Sequence, residues 1–285
     1  MQNVFKFLIV FTVIFFISIK AQNNANRFFY ELSYKPNKDS ADNKKVLMSL
    51  DICDNGKSTY RDYVIISQDS LAKAVKEKVI KSGQQIDQGK LFKMPTFTYK
   101  VVKNPSVDSN IEYTDRILQN NFFYEENVLL NWSIEKETKK IGEYNTQRAI
   151  ANYGGRKWTA WFAKDIPIND GPYKFFGLPG LIVKIEDEGK NYSWLLIGNK
   201  KISNYNENTS VDTDGKKPIK VSKVKMTKML EDYKNDPLGS VKNELTEEVL
   251  NRKMPNGTTV RENISLEENK LRKILNENNN PIELK

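Results

Sequence analysis

The chain has 285 residues, with 45 Lys and Arg against 36 Asp and Glu, 39% apolar residues, no His and one Cys. Without histidine there is no Ser-His-Asp or Cys-His nucleophile, no His-ligated zinc and no His-ligated haem, and Cys53 alone forms neither an internal disulfide nor a four-Cys metal site. Carboxylates, Lys, Tyr and Ser/Thr remain, and no spacing among them announces catalysis; a protein with no catalytic residues, metal or cofactor is expected.

The first 21 residues read as a secretory signal peptide. Lys6 gives a positive start, residues 7–19 are apolar apart from Thr12 and Ser18, and Ala21 offers a small residue for cleavage. The apolar run is shorter than the ~20 residues of a membrane-spanning helix, and no comparable run follows, so the mature chain is expected to have no transmembrane span. Removing Lys6 and Lys20 with the leader lowers the formal charge of +9 by two. The remaining positive charge is interleaved with acid, as in Lys76-Glu77-Lys78 and Glu135-Lys136-Glu137, which excludes the concentrated basic face of a nucleic-acid binder.

Residues 22–285 lack a Pro/Gly/Ser linker between two cores, and one domain is expected. Phe28, Tyr30, Leu32 and Tyr34 alternate, as do Val46, Met48, Leu50 and Ile52, which is the period of half-buried strands. Asp54-Asn55-Gly56-Lys57 marks a hairpin to the strand at 60–66, and Cys53 reads as a quiet strand residue. The period then changes. Leu71, Val75 and Val79, with Ala72 and Ile80, predict a helix over 69–82 closed by Gly83. Strands are predicted at 97–102, 111–118 and 128–135, the last alternating Leu130, Trp132 and Ile134. Further strands at 158–163, 181–185 and 192–197 are apolar on both faces and should be central.

Residues 203–218 are polar and aperiodic and read as an exposed loop. From 222 the chain turns mostly helical. Met226, Met229, Leu230 and Tyr233 share a helix face. Asp236-Pro237 reads as the start of a helix carrying Leu238, Val241, Leu245 and Val249, and Ser265 with Glu268 as the capping box of a last helix. Strands first and helices last predict an α+β fold: a curved antiparallel β-sheet with helices packed on one face.

Residues 153–187, YGGRKWTAWFAKDIPINDGPYKFFGLPGLIVKIED, are the most unusual stretch. Gly154-Gly155 is a turn permitting positive φ, and Arg156 leads a strand with Trp158 and Trp161 on opposite faces. Asp165-Ile166-Pro167 stays extended because the residue before proline avoids the helical region. Gly171-Pro172 and Gly177-Leu178-Pro179-Gly180 are sharp turns, and Leu181-Ile182 re-enters the sheet. Two rigid turns thus bracket an aromatic stretch, Tyr173, Phe175 and Phe176, with Lys174 inside it. It either plugs the open end of the sheet or presents a preorganised platform to a ligand or partner. Arg156 either clamps an anion or stacks on Trp158, or it bridges to Asp165 or Asp187 and pins the loop.

The hexapeptide at 177–182, with Gly155-Arg156, Trp158, Ala160-Trp161-Phe162, Asp165 to Ile168 and Gly171-Pro172 upstream, resembles the signature of the GLPGLI family of exported Gram-negative proteins. The resemblance is strongest over 141–198. Thr146 stands where many members have Cys, which removes any redox role there. The family has no established activity to carry over. What the resemblance implies is an exported protein, periplasmic or associated with the outer membrane, whose relatives are often encoded beside TonB-dependent receptors. It also implies a curved sheet like that of lipoprotein carriers.

Two classes of function follow. The first is a non-catalytic binding or accessory module linked to outer-membrane transport, contacting an outer-membrane receptor or an apolar small ligand through Arg156, Trp158, Trp161, Asp165, Tyr173, Phe175 and Phe176. In that reading Pro167, Gly171, Pro172 and residues 177–182 supply the frame. The second is a carboxylate-dependent, hydrolase-like enzyme using Asp165, Asp170, Glu186 and Asp187, or an apolar carrier. The bland reading of those four carboxylates is turn chemistry.

Overall fold

The alternating N-terminal segments occupy the middle of one long sheet. A computed structural model describes residues 24–83, 91–105, 107–209 and 217–284; the predicted leader lies outside the described residues. The strands are β1 (Ala25–Tyr34), β2 (Lys44–Cys53), β3 (Ser58–Asp62), β4 (Lys100–Lys103), β5 (Asn110–Ile117), β6 (Asn120–Asn127), β7 (Ser133–Ile141), β8 (Tyr144–Tyr153), β9 (Arg156–Ala163), β10 (Leu181–Asp187), β11 (Tyr192–Ile202) and β12 (Ile219–Lys220). Their order is β12-β6-β5-β4-β3-β2-β1-β11-β10-β9-β8-β7. All neighbours run antiparallel except β12, which is parallel to β6. The three strands predicted to be central, β9, β10 and β11, lie inside the sheet next to β1.

The period-two pattern explains the two faces. Phe28, Tyr30 and Leu32 of β1 share one buried face with Met48, Leu50 and Ile52 of β2. On the opposite face Arg27 grips Asp51 with two bonds, at 2.6 and 2.9 Å. The Asn55-Gly56 turn is a hairpin, with Gly56 at φ 81° and Cys53 N–H donating to Lys57 O at 2.8 Å.

Several predicted elements shift. Residues 128–132 connect β6 to β7 instead of opening a strand; Trp132 turns inward and donates from Nε1 to the Phe176 carbonyl at 2.7 Å. The strand expected from 97 starts at Lys100, because the Asp62 carboxylate takes the N–H groups of Thr96 and Phe97, at 2.8 and 3.2 Å, away from any ladder. Of the loop predicted at 203–218, residues 210–216 lie outside the described residues, and within the rest Tyr205 and Thr209 are buried.

The helices are α1 (Tyr63–Ser67), α2 (Asp69–Ser82), α3 (Lys223–Asn235), α4 (Gly239–Glu244), α5 (Glu247–Asn251) and α6 (Val260–Glu277). Gly83 closes α2 at φ 64° as expected, but no residue of its apolar stripe is fully buried: Ala72, Val75 and Val79 are half-buried, and Leu71 and Ile80 are exposed. The helix contacts fall on β2 and β3 from α1 and on β5 and β6 from α3, while α6 packs on α3 and α5. Met226 of α3 is buried against Ile117 and Tyr124. The helix predicted after Asp236-Pro237 is broken, since the Thr246 side chain caps a new start at α5. No helix among the described residues is long and apolar enough to cross a membrane.

The expected capping box at Ser265 and Glu268 sits inside α6. The same spacing occurs six residues earlier, where Glu262 N–H donates to Thr259 Oγ1 at 3.2 Å and Thr259 N–H to Glu262 Oε2 at 2.7 Å. Thr259→Ala should therefore cost about 1 kcal/mol in denaturant unfolding, whereas Ser265→Ala should stay within about 0.5 kcal/mol of the parent. Equal losses for the two variants would place the cap wrongly.

Candidate functional site

The turn between β8 and β9 uses Gly154 at φ 58° and Gly155 at φ 77°, and delivers Arg156 into the interior. Its guanidinium donates to Asp187 Oδ2 at 2.9 Å, Asn280 Oδ1 at 2.7 Å, Ile282 O at 3.0 Å and Pro281 O at 2.7 Å. It also lies 5.3 Å from the Tyr192 ring centre. Of the two roles open to Arg156, the structure has the pinning one: its anion is Asp187, and the other acceptors belong to residues 280–282. Trp158 is fully buried, 4.8 Å from Phe175 and 5.8 Å from Trp194 between ring centres. Trp161 points to the other face, where Lys139 Nζ sits 3.7 Å from its ring centre.

After β9 the chain makes a loop, residues 164–180, that folds back on the sheet. Leu181 N–H donates to Ile166 O and Ile182 N–H to Asp170 O, each at 3.0 Å. Gly177 takes φ 95°, a conformation that side chains disfavour. Gly180 is needed for a different reason: a Cβ there would lie 2.2 Å from the Ala163 carbonyl oxygen. Phe175, Leu178 and Leu181 are almost fully buried, with Tyr173 and Phe176 close behind. The aromatic stretch belongs to the main core. Pro167 and Pro172 hold the corners, and Pro179 precedes the close approach at Gly180.

Two lysines go into this core with the loop. Lys103 Nζ lies 2.5 Å from Asp170 Oδ1 and donates to Gly171 O at 2.6 Å. Burial pushes its ammonium below the usual lysine range, and Asp170 offsets part of that. Lys174 is fully buried in a box of Tyr113, Tyr124 and Tyr173, with ring centres at 4.7, 5.3 and 5.4 Å. It pairs with Glu126 and, at 2.6 Å, with Glu283, while Lys223 bridges the same two acids from outside at 2.6 and 3.1 Å. Tyr173, held at φ 52°, donates from its hydroxyl to Glu283 at 2.6 Å. Burial alone would raise the Glu283 carboxyl, but Lys174, Tyr173 and Lys223 win and hold it below the usual range.

The four candidate carboxylates are dispersed among separate partners. Asp170 belongs to Lys103, Asp187 to Arg156, and Glu186 to Lys184 at 2.8 Å. Asp165 is exposed. Among the described residues no three His, Cys, Asp or Glu are grouped to hold a metal ion.

Asp165 instead lines an open groove of about 470 Å³ where the ends of β7, β8 and β9 meet. Thr138, Lys139 and Lys140 contribute from β7, Asn145, Thr146 and Gln147 from β8, and Lys164 from the loop. The groove follows a bulge in β7 between Ile134 and Thr138. Of the sequence candidates, Asp165 faces it and Trp161 carries one of its lysines; Arg156, Trp158, Tyr173, Phe175 and Phe176 lie in the interior. The Lys139-Lys140 pair was the available signal, hidden because β7 reads as a mixed polar run.

The comparisons with known proteins fall on this geometry. A family described as a protein of unknown function (Porph_ging) matches residues 153–184, the turn, β9, the folded-back loop and the start of β10. Among curated proteins none matches the chain. Two solved structures of PNGF-II are similar in fold. That in the C2 space group has a TM-score of 0.51 at 14% identity over 72% of this chain, and that in the P21 space group has 0.50 at 14% over 72%. This chain spans 32% and 33% of those two chains, about a third of their length.

Removing Arg156 strands Asp187 without its cation in the interior. Arg156→Ala should lose about 3–5 kcal/mol of stability, and Arg156→Lys should recover only part, because an ammonium lacks the fork that serves four acceptors. A thermal or denaturant unfolding series checks this, and a Lys variant as stable as the parent would contradict it. The Glu283 carboxyl carries a pH signature. Its folded value lies below the unfolded one of about 4.3, so its contribution is complete above that pH and is lost as pH falls through the folded value. Glu283→Gln should be less stable than the parent at pH 7 and lose less on going from about pH 5 to 3. Parallel stability curves would refute the assignment.

Proposed function

We propose that this protein is an exported, non-catalytic binding or accessory module of the cell envelope, periplasmic or outer-membrane associated, that works beside an outer-membrane transport receptor. The leader-like start and the resemblance to GLPGLI proteins support the location and the association. The observation that carries the binding reading is the contrast between two parts of the matched segment. Its aromatic half is sealed in the core with each buried cation matched inside the fold, whereas its Lys164-Asp165 corner lines an open groove. Contact with a partner therefore falls to the groove, and the motif acts as its frame. An apolar carrier has less support, because the aromatic side chains that would line its cavity are packed against one another. A hydrolase-like enzyme would need two carboxylates facing one substrate, and the groove offers Asp165 alone.

Crosslinking in intact cells tests this. Tagged protein should fractionate with the envelope and capture an outer-membrane receptor, and Lys139→Glu with Lys164→Glu should abolish that capture while leaving the fold intact. Recovery in the cytoplasm, or capture undiminished by the two changes, would overturn the proposal.

A further inference from the structure

The helical end is anchored at its two extremities and loosely held between them. α3 enters by burying Met226 against Ile117 and Tyr124, and its Lys223 bridges Glu126 and Glu283. At the far end residues 279–284 are bound to the body of the fold. Ile282 joins the main core, Asn280 Nδ2 donates to Lys35 O at 2.9 Å, and Leu284 N–H donates to Gly154 O at 2.6 Å. Arg156 adds its bonds to the acceptors of residues 280–282. The stretch between, 236–278, carries α4, α5 and α6, and α6 packs on α3 and α5 rather than on a strand.

This stretch is charged where a stable helical unit would be apolar. Among the described residues 236–278, the apolar side chains that are buried are Pro237 and Leu250, and neither belongs to either apolar core. The buried side chain of α6 is Glu268. It accepts from Lys242 Nζ of α4 at 2.9 Å, and from Arg272 Nε and Nη2, one turn on, at 3.1 and 2.6 Å. Lys242 also donates to Asp236 Oδ1, at the end of α3, at 3.0 Å. Lys242, Asp236 and Arg272 are each a third or more exposed, so water and salt reach this hub, and ion pairs of that kind hold weakly. The stripe Ile264, Leu271 and Leu275 of α6 is only half-buried, and Leu266 and Ile274 are 53% exposed. Arg272 and Lys242 hold the Glu268 carboxyl down at about 2. The hub is therefore fully charged at neutral pH and answers to salt.

From this contrast we infer that residues 236–278 form a salt-sensitive clasp, which opens as a unit while α3, the sheet and residues 279–284 keep their places. Segments with few buried apolar contacts open well below the cost of global unfolding, and they do so in contiguous pieces. Salt is the trigger because the Debye length falls from about 10 Å at 0.1 M to roughly 3 Å at 1 M, which screens the exposed partners of Glu268. Opening frees the Ile264, Leu271 and Leu275 stripe and leaves both anchors in position. The inference concerns the helical end alone and is independent of the envelope role proposed above.

Hydrogen–deuterium exchange of the purified chain, read by mass spectrometry at about 0.1 and 1 M sodium chloride, tests this. Amides of α4, α5 and α6 should exchange together, at least about tenfold faster than those of α3, β1 and β2, and severalfold faster again at the higher salt. β1 and β2 in the same samples control for any effect of salt on exchange itself. Glu268→Gln should accelerate the three helices about tenfold at low salt and reduce their salt response, with β1 and β2 unchanged. Leu250→Ala should accelerate them as well but leave the salt response in place, which separates the hub from packing. The inference is overturned by exchange of the three helices at the rate of α3, or by no response to salt. It is equally overturned if Glu268→Gln keeps the full salt response or strips protection from the sheet.

Discussion

Lys103, Arg156 and Lys174 must leave water when this chain folds, and their counter-ions come from segments far apart in sequence. Lys103 on β4 finds Asp170 on the loop, and Arg156 on β9 finds Asp187 on β10 together with residues 280–282. Lys174 on the loop finds Glu126 on β6 and Glu283 near the end of the chain. A buried charge without its partner costs several kcal/mol, so each cation penalises any structure in which only some of these segments have arrived. The pairs contribute little net energy over a well-packed apolar alternative. Their effect is to tie the loop and residues 279–284 to the sheet and to each other at separate points.

Much of the sheet could be read from side-chain alternation, because β1, β2, β9, β10 and β11 bury one or both faces in a continuous core. Three strands escaped. β6, with its Asn and Glu residues, and β7, a run of Glu, Lys and Thr at the sheet edge, bury few side chains, and β8 buries only the small Thr146, Ala149 and Ala151; their ladders are set by neighbours, not by their own pattern. The helical end was legible in composition but not in boundaries. Thr259-x-x-Glu262 and Ser265-x-x-Glu268 carry the same capping spacing, and the choice between them depends on where Lys253 and Thr259 bridge the preceding turn. The α2 stripe has the period of a buried face, yet Ala72, Val75 and Val79 are only half-buried and Leu71 is exposed. Periodicity reports what a face could bury, not what arrives to cover it.

The candidate site divides along the same line. Rigid turns and aromatic residues at 153–187 were visible in the sequence, and they define how the segment folds back. Whether an aromatic side chain faces a ligand or another ring depends on the opposite strand. Tyr99 before β4, more than fifty residues upstream, and Trp194 of β11, beyond the hairpin that ends the motif, supply those rings.

The most distinctive residues and the most accessible chemistry are thus a few positions apart along one loop. From Gly171 onward the segment is committed to packing: Gly180 leaves no room for a Cβ against Ala163, and Tyr173 holds a left-handed backbone through its bond to Glu283. Before Ile166 the same loop is free, and Lys164-Asp165 projects into the groove. The rigidity of the second half gives the first half a fixed position relative to β7 and β8. A surface corner of two charged residues would otherwise sample many orientations and bind weakly, because ordering it would consume much of the interaction energy. Anchoring through the core removes that cost in advance, so an aromatic motif buried out of contact fixes the geometry of an exposed groove.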